Sequence, residues 1–383
     1  MNILHVCCNF DPMTGGGEAE RTLQMSKALL ASGVNCKILT IDTGLSVHRK
    51  SLLGPNTVIT IPCISRRFYI PWVNPIKIKQ LVAEADVIHL IGHWNILNAL
   101  VYWAARSSKK PYVVCPAGAA SIFGRSKLLK RIYNKIVGVS IFKNAEVCIA
   151  VTENEAAYLL LTGAKPGQVV VIQNAIAATD FVDGNTDAFR KKFKLGNQRF
   201  ILFVGRLNEI KGPDLLLEAF HQIKDLFPDI NLLFVGPDGG MLNALEASVQ
   251  QAHSAGRVRF IGYLGGADKT AAYKAAELLV IPSRLEAMSI VALEAGICGT
   301  PVVLTDQCGF GQLSEVGAGW VVAATATGLA QGIADVFNNP ESQQLAAVAI
   351  KRYVAEHYTW DVVVLAYKNM YKKILDDIAL RKS

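Results

Sequence analysis

The sequence has few charged residues and no segment typical of a disordered or membrane-spanning chain. Of its 383 residues, 18% are charged and 51% are hydrophobic, and it contains no tract rich in Gln and Asn, in Pro, or in Gly and Ser. Disordered chains have the opposite composition, so we expect a globular protein throughout. No apolar run reaches the roughly 18 residues that a transmembrane helix needs, and the sequence therefore predicts no membrane span.

The eight cysteines include no Cys-x-x-Cys pair and, apart from the neighbours Cys7 and Cys8, stand singly in apolar stretches. Because a disulfide framework or a zinc site would need patterned spacing, these cysteines indicate free thiols in a reducing compartment. The first residues, MNILHVCCNF, contain no basic region followed by a long apolar core. We expect a cytoplasmic location, with peripheral attachment to the inner face of the membrane as a further hypothesis.

Acidic residues are scarce in one part of the chain. The net charge is +8, and residues 1–189 contain 19 Lys and Arg against 12 Asp and Glu, whereas residues 190–383 contain 20 against 19. Between Val87 and Ala145 there are nine Lys or Arg and no Asp or Glu. This excess predicts an anionic partner for the first half of the chain.

Apolar runs of strand length alternate with helical patterns along almost the whole chain. NILHVCC, NCKILTI, RFILFVG and LLVIPS are typical of buried strands, and the alternation predicts an α/β protein with parallel sheets covered on both faces. The periodicity fails between residues 173 and 189. We therefore predict two doubly wound, Rossmann-like domains that face a cleft: residues 1–175, completed by a C-terminal helix at 359–383, and residues 176–358.

Three glycines, Gly15, Gly16 and Gly17, follow the first strand and precede a helical pattern. Glycine lets the backbone approach a ligand closely, and the amides at a helix start attract an anion. The dinucleotide fingerprint needs Gly-x-Gly-x-x-Gly directly after the strand, and its absence disfavours a nicotinamide enzyme. A flexible turn is the alternative interpretation of these glycines.

Two further loops after predicted strands carry charged residues. Arg206 and Lys211 flank the turn in VGRLNEIKGPDLL, where two cations could bind a diphosphate, although such residues are often solvated. In RLEAMSIVALEAG, Glu286 precedes a helix that begins near Ser289, and Glu294 follows within it. A carboxylate accepts hydrogen bonds from two adjacent hydroxyls, as in ribose or a sugar ring. Taken singly, Glu286 could be an ordinary first-turn residue and Glu294 a solvated helix residue.

These stretches together resemble the signature of family 4 glycosyltransferases. The resemblance covers VGRLNEIKGPDLL, VRFIGYL and PSRLEAMSIVALEAGICGTPVV, and also GGGEAERTLQMSKALLASG, DVIHLIGHW and the late Trp360. It implies a retaining, sugar-nucleotide-dependent hexosyltransferase with the GT-B fold of two Rossmann-like domains. The family requires no metal, and the chain contains no Asp-x-Asp motif.

The resemblance also implies roles for individual residues. Arg206 and Lys211 would contact the donor diphosphate and act in catalysis with Glu286, while Glu294 would accept from the ribose hydroxyls. Gly16 and Gly17 would approach the donor phosphates from the other domain. Glu286 would position the donor sugar together with the backbone of four residues: Ala287, Met288, Ser289 and Ile290.

The chain departs from the family pattern in three places. Ala117 replaces the histidine of a common Pro-His-Gly element, which puts the corresponding activity in question. His93 is displaced from the usual second histidine, so that it is a candidate for an acceptor-side role or a structural histidine. The element Glu-Gly-Phe-Gly appears as Glu286 to Ser289, which leaves donor-sugar preference open.

The segment 123–142, FGRSKLLKRIYNKIVGVSIF, combines aliphatic and basic residues at helical spacing. This composition is typical of an interfacial helix on anionic lipid, and equally of a core-facing helix with a charged outer face. No nucleic-acid motif accompanies it. The acid-free surroundings and the lipid-linked acceptors of many such enzymes favour the membrane.

We therefore expect a glycosyltransferase that moves a sugar from a nucleotide-diphosphate sugar to a glycan or lipid-linked acceptor in cell-surface polysaccharide biosynthesis. Two alternatives stay open. One is a non-catalytic homologue that binds sugar nucleotide, and the other is a sugar-nucleotide epimerase or phosphorylase built on the same fold.

Overall fold

The computed structural model describes residues 1–66, 68–122 and 126–382. The chain divides into two compact units: one contains Met1–Ala175 and the C-terminal segment from Trp360, and the other contains Ile176–Thr359. Each unit has its own sheet and its own apolar core, which confirms the α/β class predicted from the alternating pattern. All eight cysteines are free, as predicted.

An eight-stranded sheet forms the centre of the first unit. Its strands are β1 (Asn2–Cys7), β2 (Asn35–Asp42), β3 (Val58–Ser65), β4 (Ile70–Pro71), β5 (Val87–Ile91), β6 (Tyr112–Cys115), β7 (Val147–Ala150) and β8 (Val169–Val171). They lie in the order β4-β3-β2-β1-β5-β6-β7-β8, and every described pair is parallel except β3 with β4. The order reverses at β1, where open α/β sheets bind ligands beyond the strand ends.

Seven α-helices and one π-helix lie between these strands in the described residues up to Ala175. They are α1 (Pro12–Ala31), α2 (Val47–Ser51), α3 (Pro75–Glu84), α4 (Ile96–Ser107), α5 (Lys127–Tyr133), the π-helix Asn134–Gly138, α6 (Val139–Lys143) and α7 (Glu153–Leu161).

Helix α1 begins earlier than the sequence predicted. We expected the three glycines in a loop ahead of the helix, but the helix starts at Pro12 and includes them. The reason is local: the Asp11 side chain accepts from the amides of Met13 and Thr14, and proline at the first position lacks the N–H that would otherwise need a partner. Gly16, at φ 57° and ψ −135°, then breaks the helical geometry.

The second unit contains a six-stranded sheet in the order β11-β10-β9-β12-β13-β14, and all its described pairs are parallel. Its strands are β9 (Arg199–Val204), β10 (Ile230–Val235), β11 (Val258–Phe260), β12 (Leu278–Ile281), β13 (Val302–Thr305) and β14 (Trp320–Val322). The order reverses at β9, so that β10 and β12 flank it. The loops after β9 and β12 therefore leave the same edge of the sheet side by side.

Helices connect these strands. They are the 3₁₀ helix Ala178–Phe181, α8 (Thr186–Lys192), the 3₁₀ helix Glu209–Lys211, α9 (Pro213–Ile223), α10 (Leu242–Gln251), α11 (Gly266–Ala275), α12 (Ile290–Cys298), α13 (Gln312–Glu315), α14 (Ala326–Asn338) and α15 (Pro340–His357).

The final helix, α16 (Trp360–Lys382), packs against α1 in the first unit. Two of its tyrosines are fully buried there: the Tyr367 hydroxyl accepts from the Arg21 guanidinium at 2.6 Å, and the Tyr371 hydroxyl is 2.7 Å from Nδ1 of His89. These buried polar contacts fix the register of the helix, because an unpaired polar group at this depth would be costly. Across the described residues, every helix is too short or too polar to span a bilayer.

Candidate functional site

The loops after β9 and β12 contain three of the charged residues singled out in the second unit, namely Arg206, Lys211 and Glu286. Strands β9 and β12 are parallel neighbours, with Leu278 opposite Ile201 and Leu279 opposite Leu202. Arg206 lies just beyond β9, and the polypeptide beyond β12 leads through Glu286 into α12. The sheet order thus places two sequence-distant loops at one edge.

Lys211 and Glu286 form an ion pair between these two loops. The Lys211 Nζ lies 2.8 Å from Oε1 of Glu286, and the side chains are 32% and 14% exposed. The Ser283 hydroxyl donates to the other carboxylate oxygen of Glu286 at 2.9 Å. The sequence identified both charged residues as site candidates but did not indicate that they pair, and it gave no signal for Ser283.

A second link joins the same loops a few residues away. The Arg284 guanidinium donates to both carboxylate oxygens of Asp214, at 2.8 and 2.6 Å, and the Arg284 amide donates to the Ile210 carbonyl at 2.8 Å. Such a two-pronged contact fixes distance and orientation together. Sequence reasoning missed this pair, because neither residue lies at a motif position that the resemblance assigns.

Two glycines allow these segments to approach closely. Gly212 has φ 65°, and a Cβ at this position would overlap the Pro282 carbonyl oxygen. Gly309 has φ 57°, and its Cβ would overlap the Ala287 carbonyl oxygen. Both positions therefore need glycine for two reasons, the left-handed backbone and the missing side chain.

Helix α12 presents its first turn at this edge. Ser289 is the N-cap, and its fully buried hydroxyl accepts from the Ala292 amide at 3.4 Å. Met288 is 5% exposed, whereas Ala287 and Ile290 are half-buried. The side chains of Met288 and Ser289 thus point into the protein, and the segment 287–290 offers backbone amides at the positive end of a helix dipole.

Glu294 is buried in α12 and has two partners on α11. The residue is 5% exposed; its Oε1 lies 2.7 Å from Lys269 Nζ, and its Oε2 accepts from the Tyr273 hydroxyl at 2.6 Å. The interpretation of Glu294 as a solvated helix residue is therefore wrong. Lys269 and Tyr273 were missed, although their four-residue spacing on a helix was visible in the sequence.

In the first unit, the glycines lie in the first turns of α1 beyond the end of β1. Gly16 has φ 57° and is half-buried, while Gly17 is exposed. The next residue, Glu18, packs its carboxylate against Gly92, which follows β5 and has φ 75°. Burial raises the pKa of Glu18 above its ordinary value.

His93 is part of a buried aromatic cluster. Its ring is 2% exposed, stacks on Phe142 with 4.5 Å between centroids, and contacts Trp94 and Tyr133 edge-on. Its Nε2 lies 3.1 Å from the side-chain oxygen of Asn134. Burial lowers the pKa of His93 to about 4, so that the ring is neutral at pH 7. These features match the structural alternative for this histidine.

The Pro-Ala-Gly element, residues 116–118, is hydrogen-bonded to the buried side chain of Glu155. Ala117 adopts a left-handed backbone with φ 49°, and the Gly118 amide donates to Oε1 of Glu155 at 2.5 Å. The other oxygen of Glu155 accepts from the Val151 amide at 2.8 Å, and burial raises the pKa of this carboxyl group. The hydrogen bonds of Glu155 thus fix the backbone turn that contains Ala117 and Gly118.

The basic aliphatic segment forms α5, the π-helix and α6, and its residues 123–125 lie outside the described part of the chain. Four aliphatic side chains are exposed: Leu128 by 68%, Leu129 by 58%, Ile132 by 45% and Ile136 by 65%. Three basic side chains, Lys127, Arg131 and Lys135, are exposed beside them. The core-facing alternative is therefore wrong for this aliphatic face, whereas Ile141 and Phe142 at the end of the segment are buried.

Comparison with known proteins gives matches over both units. The model of the family described as Glycosyltransferase Family 4 matches residues 15–179, and that described as Glycosyl transferases group 1 matches residues 185–352. An uncharacterised glycosyltransferase of Methanocaldococcus jannaschii is 33% identical over 391 residues, which cover 97% of this chain and 98% of that protein. A D-inositol 3-phosphate glycosyltransferase of Gordonia bronchialis is 30% identical over 250 residues, which cover 62% of this chain and 54% of that relative.

Among solved structures, the HepE protein of Anabaena in complex with UDP and glucose has a TM-score of 0.81 at 18% identity, and the match covers 97% of this chain and all of that one. This likeness confirms the GT-B fold that the sequence resemblance implied. The named sequence relatives are glycosyltransferases, which is the class expected from the motifs. The chain belongs to glycosyltransferase family 4, and it is a transferase that acts on sugars.

Proposed function

We propose that this protein transfers a hexose, with retention of anomeric configuration, from a nucleotide-diphosphate sugar to a glycan or lipid-linked acceptor in the synthesis of a cell-surface polysaccharide. The observation that best supports this proposal is the ion pair between Lys211 and Glu286 beside the first turn of α12. HepE, with the same fold, has been seen with UDP and glucose. The Gordonia relative is named for transfer to an inositol phosphate, an anionic acceptor.

In this proposal, the two cations and the helix amides stabilise the leaving diphosphate. Breaking the bond between the anomeric carbon and phosphate puts negative charge on the departing diphosphate. Arg206, Lys211 and the amides of 287–290 provide fixed positive charge at one sheet edge, where it stabilises the transition state more than the ground state. No metal is required, because these groups supply the charge that a bound cation supplies in other transferases.

Glu286 positions the donor sugar, and Glu294 accepts from the ribose. Glu286 pairs with Lys211 and accepts from Ser283, and these two contacts orient its carboxylate. Such preorganisation reduces the cost of ordering at the moment of reaction. The second unit is thus the donor-binding domain, whereas the first, residues 1–175 with the C-terminal helix, serves the acceptor.

The first unit contributes Gly16 and Gly17 to the donor phosphates in this proposal. The kink at Gly16 leaves backbone without a bulky side chain at the carboxyl end of β1, which suits close approach of a phosphate. His93 supports this edge from within the aromatic cluster and does not transfer a proton, since its ring is buried and neutral.

The exposed face of α5 and the π-helix binds an anionic lipid surface. We define the α5 face as Leu128, Leu129, Ile132 and Ile136 with the flanking Lys127, Arg131 and Lys135. Large aliphatic side chains in water are unfavourable, and insertion beside anionic headgroups would bury them while the cations meet opposite charge. This surface would bring the enzyme to a lipid-linked acceptor.

The test uses the purified protein alone with UDP-, GDP- and ADP-hexoses, and release of the nucleoside diphosphate is measured by mass spectrometry with and without lipid-linked acceptor. We expect slow donor hydrolysis with one base and faster turnover with acceptor. Binding of a sugar nucleotide without any turnover would favour the non-catalytic homologue, and interconversion of two sugar nucleotides without acceptor would favour an epimerase. Failure to bind any of the donors would overturn the proposal.

A further inference from the structure

The carboxylate of Glu294 is held by two different groups on one helix. Lys269 and Tyr273 lie four residues apart on α11, which places both on the face that packs against α12. Lys269 Nζ is 2.7 Å from Oε1, and the Tyr273 hydroxyl is 2.6 Å from Oε2. Each oxygen of Glu294 thus has its own partner.

This arrangement leaves room for two more hydrogen bonds. An ionised carboxylate offers roughly four lone-pair positions, two on each oxygen. With one contact to Lys269 and one to Tyr273, about one position remains on each oxygen. Two adjacent hydroxyl groups, such as those at the 2′ and 3′ carbons of ribose, need one acceptor position each.

Both partners are fixed in place. Tyr273 is 0% exposed, so its ring cannot shift without moving the core, and its backbone carbonyl accepts from the Thr300 hydroxyl at 2.8 Å. The Lys269 ammonium lies between the Glu294 carboxylate and the ring of Phe181, whose centroid is 5.7 Å away. The lysine supplies the opposite charge for a nearly buried carboxylate, and an uncompensated charge at 5% exposure would be costly.

We propose that Lys269 and Tyr273 are positioning residues that orient the Glu294 carboxylate for a nucleoside diphosphate with both 2′ and 3′ hydroxyls. This inference rests on the proposed function, in which Glu294 binds the ribose. The hydroxyl of Tyr273 fixes one oxygen and the ammonium of Lys269 fixes the other. The pair therefore determines whether the protein distinguishes a ribonucleotide from a 2′-deoxyribonucleotide, although neither residue needs to touch the ligand.

The test compares matched ligands on three proteins. Dissociation constants of UDP and 2′-deoxy-UDP, GDP and 2′-deoxy-GDP, and ADP and 2′-deoxy-ADP are measured by calorimetry for the wild type, Tyr273→Phe and Lys269→Met. For the base that binds, we expect the wild type to prefer the ribonucleotide by about tenfold or more, because a polar site rejects an analogue that lacks a hydroxyl. In each variant the preference should fall to about twofold, mainly through weaker binding of the ribonucleotide.

Two controls separate positioning from general damage. In a Glu294→Gln background, Tyr273→Phe should have no further effect on the preference, because the tyrosine acts through that carboxylate. Tyr371→Phe removes a hydrogen bond of similar length from an equally buried tyrosine in the other unit, and it should leave the preference unchanged. Should Tyr273→Phe fail to fold, Lys269→Met tests the same prediction at a partly exposed side chain.

The outcomes distinguish this inference from the proposed function. If a ribonucleotide binds the wild type and both variants keep its preference, the positioning role is wrong while the proposed function stands. If the Tyr371→Phe control loses the preference as well, the effect is general and the positioning role is again wrong. If none of the three ribonucleotides binds the wild type, the proposed function itself fails.

Discussion

The ammonium of Lys211 lies 2.8 Å from the carboxylate of Glu286, although the two residues are 75 positions apart in the sequence. The contact joins the loop after β9 to the loop after β12. Each charge partly neutralises the other, and in the proposed function a donor diphosphate would compete with Glu286 for the lysine. If the proposed roles of the two residues hold, the pair couples donor binding to positioning of the donor sugar.

Removal of Lys211 or Arg206 should abolish most activity without unfolding the protein. We expect Lys211→Ala and Arg206→Ala each to lower kcat by about 100-fold or more, as for loss of one preorganised donor to a developing negative charge. Since the Lys211 ion pair is partly exposed, the free energy of unfolding should change by less than about 1 kcal/mol. Steady-state kinetics and urea unfolding provide the measurements.

The matched control is Lys192→Ala, which removes an exposed lysine paired with Asp268 in the same unit. Its kcat should equal that of the wild type. Wild-type turnover in folded Lys211→Ala or Arg206→Ala would contradict the assignment of the diphosphate site.

Gly212→Ala should disturb the site far more than the same change at Gly196, where an added Cβ would meet no other atom. Both Gly212 and Gly196 have left-handed backbones, with φ 65° and 55°, but a Cβ at Gly212 overlaps the Pro282 carbonyl whereas nothing lies within 4 Å at Gly196. The strain common to both substitutions is about 1 to 2 kcal/mol. We expect the Gly212 variant to lose a further 1 kcal/mol or more, on the order of a lost packing contact, and most of its activity.

Thermal unfolding and donor affinity of the two alanine variants give the comparison. Equal losses in both would show that the loop before α9 can move away from Pro282 at little cost, and that the close approach does not hold the site together.

Buried His93 should make the protein less stable as the pH falls. Its pKa is lowered from 6.5 to about 4 by burial, so the unfolded chain binds a proton that the folded protein does not between these values. The contribution is fully present above pH 6.5 and is lost on acidification from 6.5 towards 4, with a total of about 3 kcal/mol. His5, with a pKa lowered to about 3, acts in the same direction.

Urea unfolding of the wild type and His93→Gln at several pH values between 4 and 7 measures this effect. The free energy of unfolding of the variant should change less with pH, because about one proton fewer is taken up on unfolding. The pH profile of kcat should keep its shape in the variant, since the ring is neutral and buried; loss of a kinetic pKa near 6 to 7 would instead restore an acid–base role for His93.

The α5 face should bind vesicles that contain anionic lipid. Neutralising Lys127, Arg131 and Lys135 to Gln should weaken binding on the order of 100-fold, at about 1 kcal/mol for each basic residue near the surface. Ile132→Ser with Ile136→Ser should also release the protein, with little change in stability because both side chains are exposed. Flotation with phosphatidylglycerol-containing and purely phosphatidylcholine vesicles separates the contribution of electrostatic attraction from that of aliphatic insertion.

A control with the same change in charge, Lys191, Lys192 and Lys194 to Gln, alters exposed residues of the second unit and should float like the wild type. Equal binding of the wild type to both kinds of vesicle, or binding to neither, would remove the anionic membrane as the partner of this face.

Much of the fold could be predicted because the alternation of apolar runs and amphipathic helices is local. Buried parallel strands such as β9 and β12 need continuous apolar residues, and this requirement is visible in RFILFVG and LLVIPS. The predicted start of α1 was wrong. The cap by Asp11 and the proline at position 12 outweigh the helix-breaking tendency of the three glycines.

The sequence by itself determined which residues are candidates for the chemistry: Arg206, Lys211, Glu286 and Glu294 follow strand ends in a spacing typical of the family. Tertiary structure alone decided their partners, since Lys211 meets Glu286 and Glu294 meets Lys269 and Tyr273 through strand order and helix packing. It also decided that the aliphatic side chains of the α5 face are exposed. The physical reason is that a helical pattern shows which residues share a face, whereas only packing shows what that face meets.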